Sequence, residues 1–287
     1  MRKDKYFDSY ESFIRQAIKD GNPKNGKSSI SQDRKQSWDM GAGWEGALEL
    51  AKRGWPEGLK RIQKAAELLK LPVGEKSYDP RQVLEVSGDE VDVGLYLSGE
   101  PECMYDYEML ETPSFGKVAK IIVNLAGSAG VKAETMFKRG AAAVLLIDAL
   151  EQSGIRCEVW ALPKSTSGDG EPVERGSGKG AFVVHVCVKQ ADDPVELDRL
   201  AFMLAHPAAF RRLGFRIMEQ EDEMSFGGRA TRSAYGCTME LPEKERSEAG
   251  TIYFGGQFLG RLSSEAAMVA EVQKVLGEFL ETETTTT

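Results

Sequence analysis

The sequence predicts an α/β protein built on a mostly parallel sheet flanked by helices, and three patterns carry that prediction. The first is an apolar strand-like run, Lys117 to Leu125, that passes through the small residues Ala126-Gly127-Ser128-Ala129-Gly130 into a long helical pattern ending at Gly154. The second is the strand-like run Ile155 to Leu162, which completes a βαβ unit whose crossover should be right-handed. The third is a further apolar run, Ala181 to Val188, expected to pair antiparallel with the one before it across a polar excursion from Ser165 to Gly180.

The elements follow in order. Residues 9–20 place Tyr10, Phe13, Ile14, Ala17 and Ile18 at helical spacing before Gly21-Asn22-Pro23. Residues 22–36 are rich in Lys, Ser, Asn, Gln and Gly and read as a mobile loop. Trp38, Trp44 and Trp55 then accompany two short helices, Glu45–Arg53 and one opened by Pro56, and read as the apolar payload of a small helical cluster. Residues 1–80 thus form a helical N-terminal region, and 81–116 a β connector with short strands at Val83–Val86 and Val91–Leu97. In the long helix after Leu125, Met136, Gly140, Ala143, Ile147 and Leu150 share a stripe, and Gly140 would let the backbone approach a sheet. Asp192-Asp193-Pro194 opens a helix that Pro207 breaks. A second helix to Glu219 carries Phe210, Leu213 and Ile217 on one face, with Arg211, Arg212 and Arg216 elsewhere. Asp222 to Arg232 reads as irregular, Thr251–Gly255 as a late strand, and Ser263-Ser264-Glu265 as the cap of a last helix. Residues 282–287 are expected to be a disordered tail.

Composition bounds the function. Hydrophobic residues make up 41% and charged residues 29%, and no apolar run approaches the roughly 20 residues of a membrane span. The charged N-terminus has no apolar core after it, so the chain reads as cytoplasmic. Cys103, Cys157, Cys187 and Cys237 are widely spaced and suggest neither a disulfide framework nor a zinc knuckle. The net charge of −8 disfavours a protein that coats nucleic acid with its whole surface. Residues 1–70 hold 15 basic and 10 acidic side chains, so the excess of acid lies beyond them. The basic side reads either as solvated helix faces or as a contact surface for an acidic partner. Lys52, Arg53, Lys60, Arg61 and Lys64 are its best candidates for phosphate contacts.

Catalytic chemistry is limited by two histidines. His185 lies in a strand beside Cys187 on the same face, and His206 precedes Pro207 at a helix junction, where capping is the ordinary role. No catalytic residue, cofactor or metal ligand set is assigned. The glycines Gly127 and Gly130 could cradle phosphate at a helix start, yet no Walker lysine follows and the dinucleotide fingerprint is absent.

Residues 117–281 resemble the von Willebrand factor A domain in the order strand, long helix, hairpin, helices, late strand, helix. The chain is also similar to uncharacterised phage-type proteins carrying such a domain. In that family the first strand ends in a D-x-S-x-S loop that binds a divalent metal; Asn124, Ala126 and Ser128 stand at those positions here, so the metal loop is degenerate. The resemblance implies a non-enzymatic protein-binding or adaptor module, working with a partner such as an AAA+ ATPase of the MoxR type. Asn124, Gly127, Ser128 and Gly130 are the candidate partner-binding loop. Two alternatives stand beside it: a nucleic-acid-associated protein using residues 1–80, and an enzyme using His185 or His206.

Overall fold

A computed structural model describes residues 2–19, 37–66, 77–112, 118–127, 130–166, 181–220, 240–255 and 264–284. The expected loop at 22–36, most of the excursion at 165–180 and the irregular stretch at 222–232 lie outside them. The chain divides into two compact units, a larger one of Met1–Pro72, Val118–Gln152 and Arg156–Thr287, and a smaller one of Val73–Lys117 with Ser153–Ile155.

The larger unit opens with β1 (Arg2–Phe7), α1 (Tyr10–Ile18), α2 (Gly43–Arg53) and α3 (Pro56–Ala66). The smaller unit holds β2 (Ser77–Glu85), β3 (Glu90–Val91), α4 (Val93–Ser98) and β4 (Met104–Thr112). The larger unit resumes with β5 (Val118–Asn124), α5 (Ala133–Gln152), β6 (Arg156–Leu162), β7 (Lys164–Thr166) and β8 (Ala181–Lys189). Helix α6 (Leu197–Leu200) runs into a π-helical stretch, Ala201–Ala205; a second one, Ala209–Gly214, runs into α7 (Phe215–Glu219). Then come α8 (Glu243–Arg246), β9 (Thr251–Phe254) and α9 (Glu265–Thr284).

The strand order of the main sheet is β1-β8-β6-β5-β9, with β7 paired to β8. Strands β6 and β9 run parallel to β5 on either side of it, β8 is antiparallel to β6 as expected, and β1 is parallel to β8. Alternation gives the sheet two faces. Ala119, Ile121, Val123, Cys157, Val159, Ala161, Phe182, Val184 and Val186 are fully or almost fully buried on one face, against which α1 and α5 pack. On the other face Ile122, Leu162, Val183, Leu241 and Tyr253 form a separate apolar cluster, with Trp160 against it.

Strand β1 was not readable from the sequence, because Arg2-Lys3-Asp4-Lys5-Tyr6-Phe7 has the charge of an edge strand and little apolar signal. It adds the N-terminal region to the main sheet. The helices that follow are tied in as well: Tyr10 Oη donates to Ala51 O at 2.9 Å, Trp55 N to Asp198 O at 2.9 Å, and Arg199 pairs with Glu11 at 2.7 Å. Residues 1–72 therefore belong to the same compact unit as the strand-helix core. Trp55 is buried as expected of a core residue, whereas Trp38 and Trp44 are half-buried.

Three arginines placed by helical periodicity away from the apolar stripe are buried, because their segment is enclosed on all sides. Arg211 donates to Trp38 O and, at 2.7 Å, to Val131 O; Arg216 donates to Lys19 O at 3.2 Å. Arg212 holds Asp39 Oδ2 through Nε and Nη2, both at 2.7 Å. The same carboxylate accepts from Gly41 N and Gly43 N, each at 3.1 Å, and so shapes the entry to α2. Gly140 also differs from expectation. A side chain there would meet Leu204 O at 2.0 Å, so the close approach is to the helical stretch Ala201–Ala205 and not to the sheet. The last helix begins with Ser264 Oγ accepting from Ala267 N and runs to Thr284, beyond the start of the expected tail, since no glycine or proline after Gly277 stops it.

The smaller unit is a three-stranded antiparallel sheet of order β2-β4-β3. Residues 93–97, expected as strand, form α4. Asp92 caps that helix, Oδ1 accepting from Gly94 N at 2.9 Å and Leu95 N at 3.0 Å, while Tyr105 Oη fixes Oδ2 at 2.6 Å. Gly99 at φ 81° ends it in the left-handed conformation. A local side-chain cap thus outweighs the β preference of valine and tyrosine. No helix among the described residues is long and apolar enough to cross a membrane.

The Asp39–Arg212 pair should dominate the stability of the larger unit. Asp39→Ala removes a carboxylate that holds the buried Arg212 guanidinium and caps the entry to α2, and is expected to lower the unfolding free energy in urea by about 3–5 kcal/mol. Glu49→Ala, which breaks the exposed pair with Arg53, should change it by less than about 1 kcal/mol.

Candidate functional site

Strand β5 delivers its last residue, Asn124, to the carboxyl end of the sheet, where α/β proteins place their ligand sites. The side chain is fully buried and engaged at both ends: Oδ1 accepts from Ala126 N at 3.1 Å, and Nδ2 donates to Tyr253 Oη at 3.3 Å. Tyr253 is itself bonded to Glu240, and burial, the largest cause, with the Glu240 carboxylate raises its pKa well above the ordinary phenol value. Gly127 is buried, and a Cβ there would sit 3.3 Å from Met136 Sδ; Gly130 is exposed. Ser128 lies outside the described residues.

The divalent ion that the resemblance attaches to this loop does not fit the residues present. Asn124 is neutral and its oxygen already serves a backbone amide. Beside the loop, Arg139 of α5 is almost completely buried and its Nη1 donates to Ala126 O at 2.9 Å. Burial lowers the Arg139 pKa only to about 10, so the guanidinium is charged at neutral pH. A fixed cation therefore already satisfies the loop carbonyl, and a metal ion would be repelled by it. Sequence reasoning overlooked Arg139, because one arginine in an apolar helical stripe carries no periodic signal.

The opposite face of the sheet carries the other concentration of chemistry. A concavity of about 180 Å³ is lined by Tyr6, Lys120, Trp160, His185, Glu245 and Glu248 together with Ile122, Leu162 and Leu241. Five chain segments supply it, and β1 closes one side. The Tyr6 ring stacks on His185 with centroids 4.3 Å apart, and His185 Nε2 lies 2.7 Å from Asp4 Oδ1. Trp160 Nε1 donates to Glu158, and Lys120 reaches Glu248 at 3.4 Å. Tyr6 is 65% exposed. Cys187 shares this face, but burial pushes its thiol up to about 11, so it stays protonated and is a poor nucleophile at neutral pH.

A profile of the family described as a domain of unknown function, DUF7192, matches residues 2–280. The chain belongs to the DUF7192 family. No curated protein and no solved structure matches it. The DUF7192 match runs from β1 through both compact units into α9.

The remaining sequence candidates of this DUF7192 chain are dispersed. Lys52, Arg53, Lys60, Arg61 and Lys64 are exposed on α2 and α3. Arg61 is engaged, its guanidinium 4.0 Å from the Phe137 ring centroid and 2.9 Å from Glu134, and Arg53 pairs with Glu49. His206 caps the second helical stretch, Nδ1 accepting from Ala208 N at 3.1 Å, with Trp55 edge-on at 4.5 Å between centroids.

Burial lowers the His206 pKa from 6.5 to about 4, against a weaker opposing pull from Asp39. The unfolded chain therefore binds the extra proton at higher pH than the folded one. Stability present above about pH 6.5 should be lost as pH falls towards 4, by up to about 3 kcal/mol for this group alone. His206→Gln should flatten that part of the pH dependence of urea unfolding; an unchanged slope between pH 6.5 and 4 would show that His206 titrates normally.

Proposed function

We propose that the chain is a non-enzymatic protein-binding module of the von Willebrand A-like type, and that it meets its partner on the strand face around Tyr6 and Trp160. The observation that carries this reading is the composition of that concavity. Aromatic side chains sit at its floor and side, and Lys120, Glu245 and Glu248 surround them, the pattern of an anchor region within a charged rim. The order of elements supports the domain type, since β5, α5, the β6–β8 antiparallel pair, the helices to Glu219, β9 and α9 follow the order of the resemblance.

Two further observations favour binding over catalysis. His206 serves as a cap and is neutral at pH 7, and His185 is stacked and bonded within the sheet face. At the end of β5, the Asn124 side chain and the Ala126 carbonyl are turned inward to Tyr253 and Arg139, which leaves them occupied within the chain. The partner class that the resemblance carries is an AAA+ ATPase of the MoxR type.

Affinity capture from the native cell, with the retained protein identified by mass spectrometry and its affinity then measured with purified components, tests the reading. Tyr6→Ala with Trp160→Ala should weaken that affinity by at least about tenfold. Lys60→Glu with Lys64→Glu should leave it unchanged. A chain that retains no protein but retards DNA or RNA, and loses that ability with the lysine substitutions, would establish the nucleic-acid alternative instead.

A further inference from the structure

The smaller unit presents a second surface, independent of the strand face. Helix α4 exposes Val93, Tyr96 and Leu97, at 61%, 65% and 78%. Their spacing of three and four residues puts them on one stripe of the helix, turned to solvent. Val86 and Val91 of the same unit are exposed as well. Among the residues of this unit whose side chains are described, only Cys103 and Ile155 are buried apolar residues. Large apolar side chains exposed together along one helix stripe mark an interaction surface.

Charge identifies what that surface fits. Residues 73–117 contain 11 acidic and 3 basic side chains, a net −8, which equals the net charge of the whole protein. The rest of the chain is neutral. Glu90, Asp92, Glu100 and Glu102 flank α4 in sequence, and Asp92 is held ionised, its pKa lowered first by the Tyr105 hydroxyl and then by the amides it caps. A second copy of this unit would bring like charge onto like charge, and nucleic acid or an anionic membrane would be repelled in the same way.

We infer that the Val93–Tyr96–Leu97 face of α4 docks a basic, amphipathic segment of a partner protein, its apolar side chains on the stripe and its lysines or arginines towards the surrounding carboxylates. This deepens the protein-binding reading by giving a partner chemistry, and it rests on a different surface from Tyr6 and Trp160.

Fluorescence anisotropy of the full chain with labelled helical peptides tests it. The probe is a peptide of Lys and Leu with leucines at helical spacing; one control replaces Lys by Glu and another replaces Leu by Gly. The Lys–Leu probe should bind, more weakly as salt rises, and both controls should not. Tyr96→Ser with Leu97→Ser, and separately Glu100→Lys with Glu102→Lys, should each weaken binding by about tenfold or more. All four residues are exposed, and circular dichroism checks that the fold is kept. Tyr6→Ala with Trp160→Ala should leave the peptide affinity unchanged, so the two surfaces can fail separately. Equal affinity in the α4 variants, or binding of the Glu–Leu peptide, would overturn the inference. So would a dimer in sedimentation equilibrium that Leu97→Ser dissolves, which would make a second copy the occupant.

Discussion

The Asp39 carboxylate, closed between Arg212 and the amides of Gly41 and Gly43, is the interaction on which the larger unit depends. It joins two segments more than 170 positions apart in the chain, across an interface that has little water to screen the charges. Around it, Arg211 takes the carbonyls of Trp38 and Val131, and Arg216 that of Lys19. One helical segment therefore fixes the end of α1, the entry to α2 and the approach to α5. The desolvation of these guanidinium groups is offset only because each finds carbonyl or carboxylate oxygens, which makes the arrangement intolerant of losing a partner.

That anchoring decides how the two faces of the main sheet are used. The helix-bearing face is filled with apolar side chains, and at the end of β5 the buried Arg139 guanidinium donates to the Ala126 carbonyl. The chemistry that remains accessible lies on the opposite face, where β1 brings Asp4 and Tyr6 to His185. A six-residue edge strand thus turns an apolar sheet face into a site with aromatic and charged groups. Docking through that face and through α4 would give the protein two contacts of different chemistry, one mixed and one acidic.

The long elements were legible because their apolar periodicity is strong: β5, α5, β6 and β8, and the antiparallel relation of the last two, follow from residues 117–188. The cap of the last helix was legible because a serine, Ser264, stood before an amphipathic run, whereas Asp192-Asp193-Pro194 precede a helix that starts only at Leu197. Elsewhere local rules competed. Val91 to Leu97 carries a β-forming composition, yet the Asp92 cap and Gly99 select a helix. Strand β1 has no apolar alternation to read, and its pairing with β8 depends on a partner 179 residues along the chain, Arg2 opposite Ala181. The candidate loop was found by position, but the reasons it is closed, Arg139 and Tyr253, come from distant elements.

Composition and order alone determined the α/β class, the central βαβ unit and the scarcity of histidine chemistry. They also gave the net charge of −8, though as an acidic excess spread over everything beyond residue 70. Tertiary structure marked off the smaller unit, whose residues 73–117 carry a net −8 of that excess, and decided that four arginines are interior and that the first residues are part of the sheet. The division has one physical cause. Periodicity reports contacts within a few turns of chain, whereas burial of a charge and pairing of an edge strand are set by groups that meet only when the chain has folded.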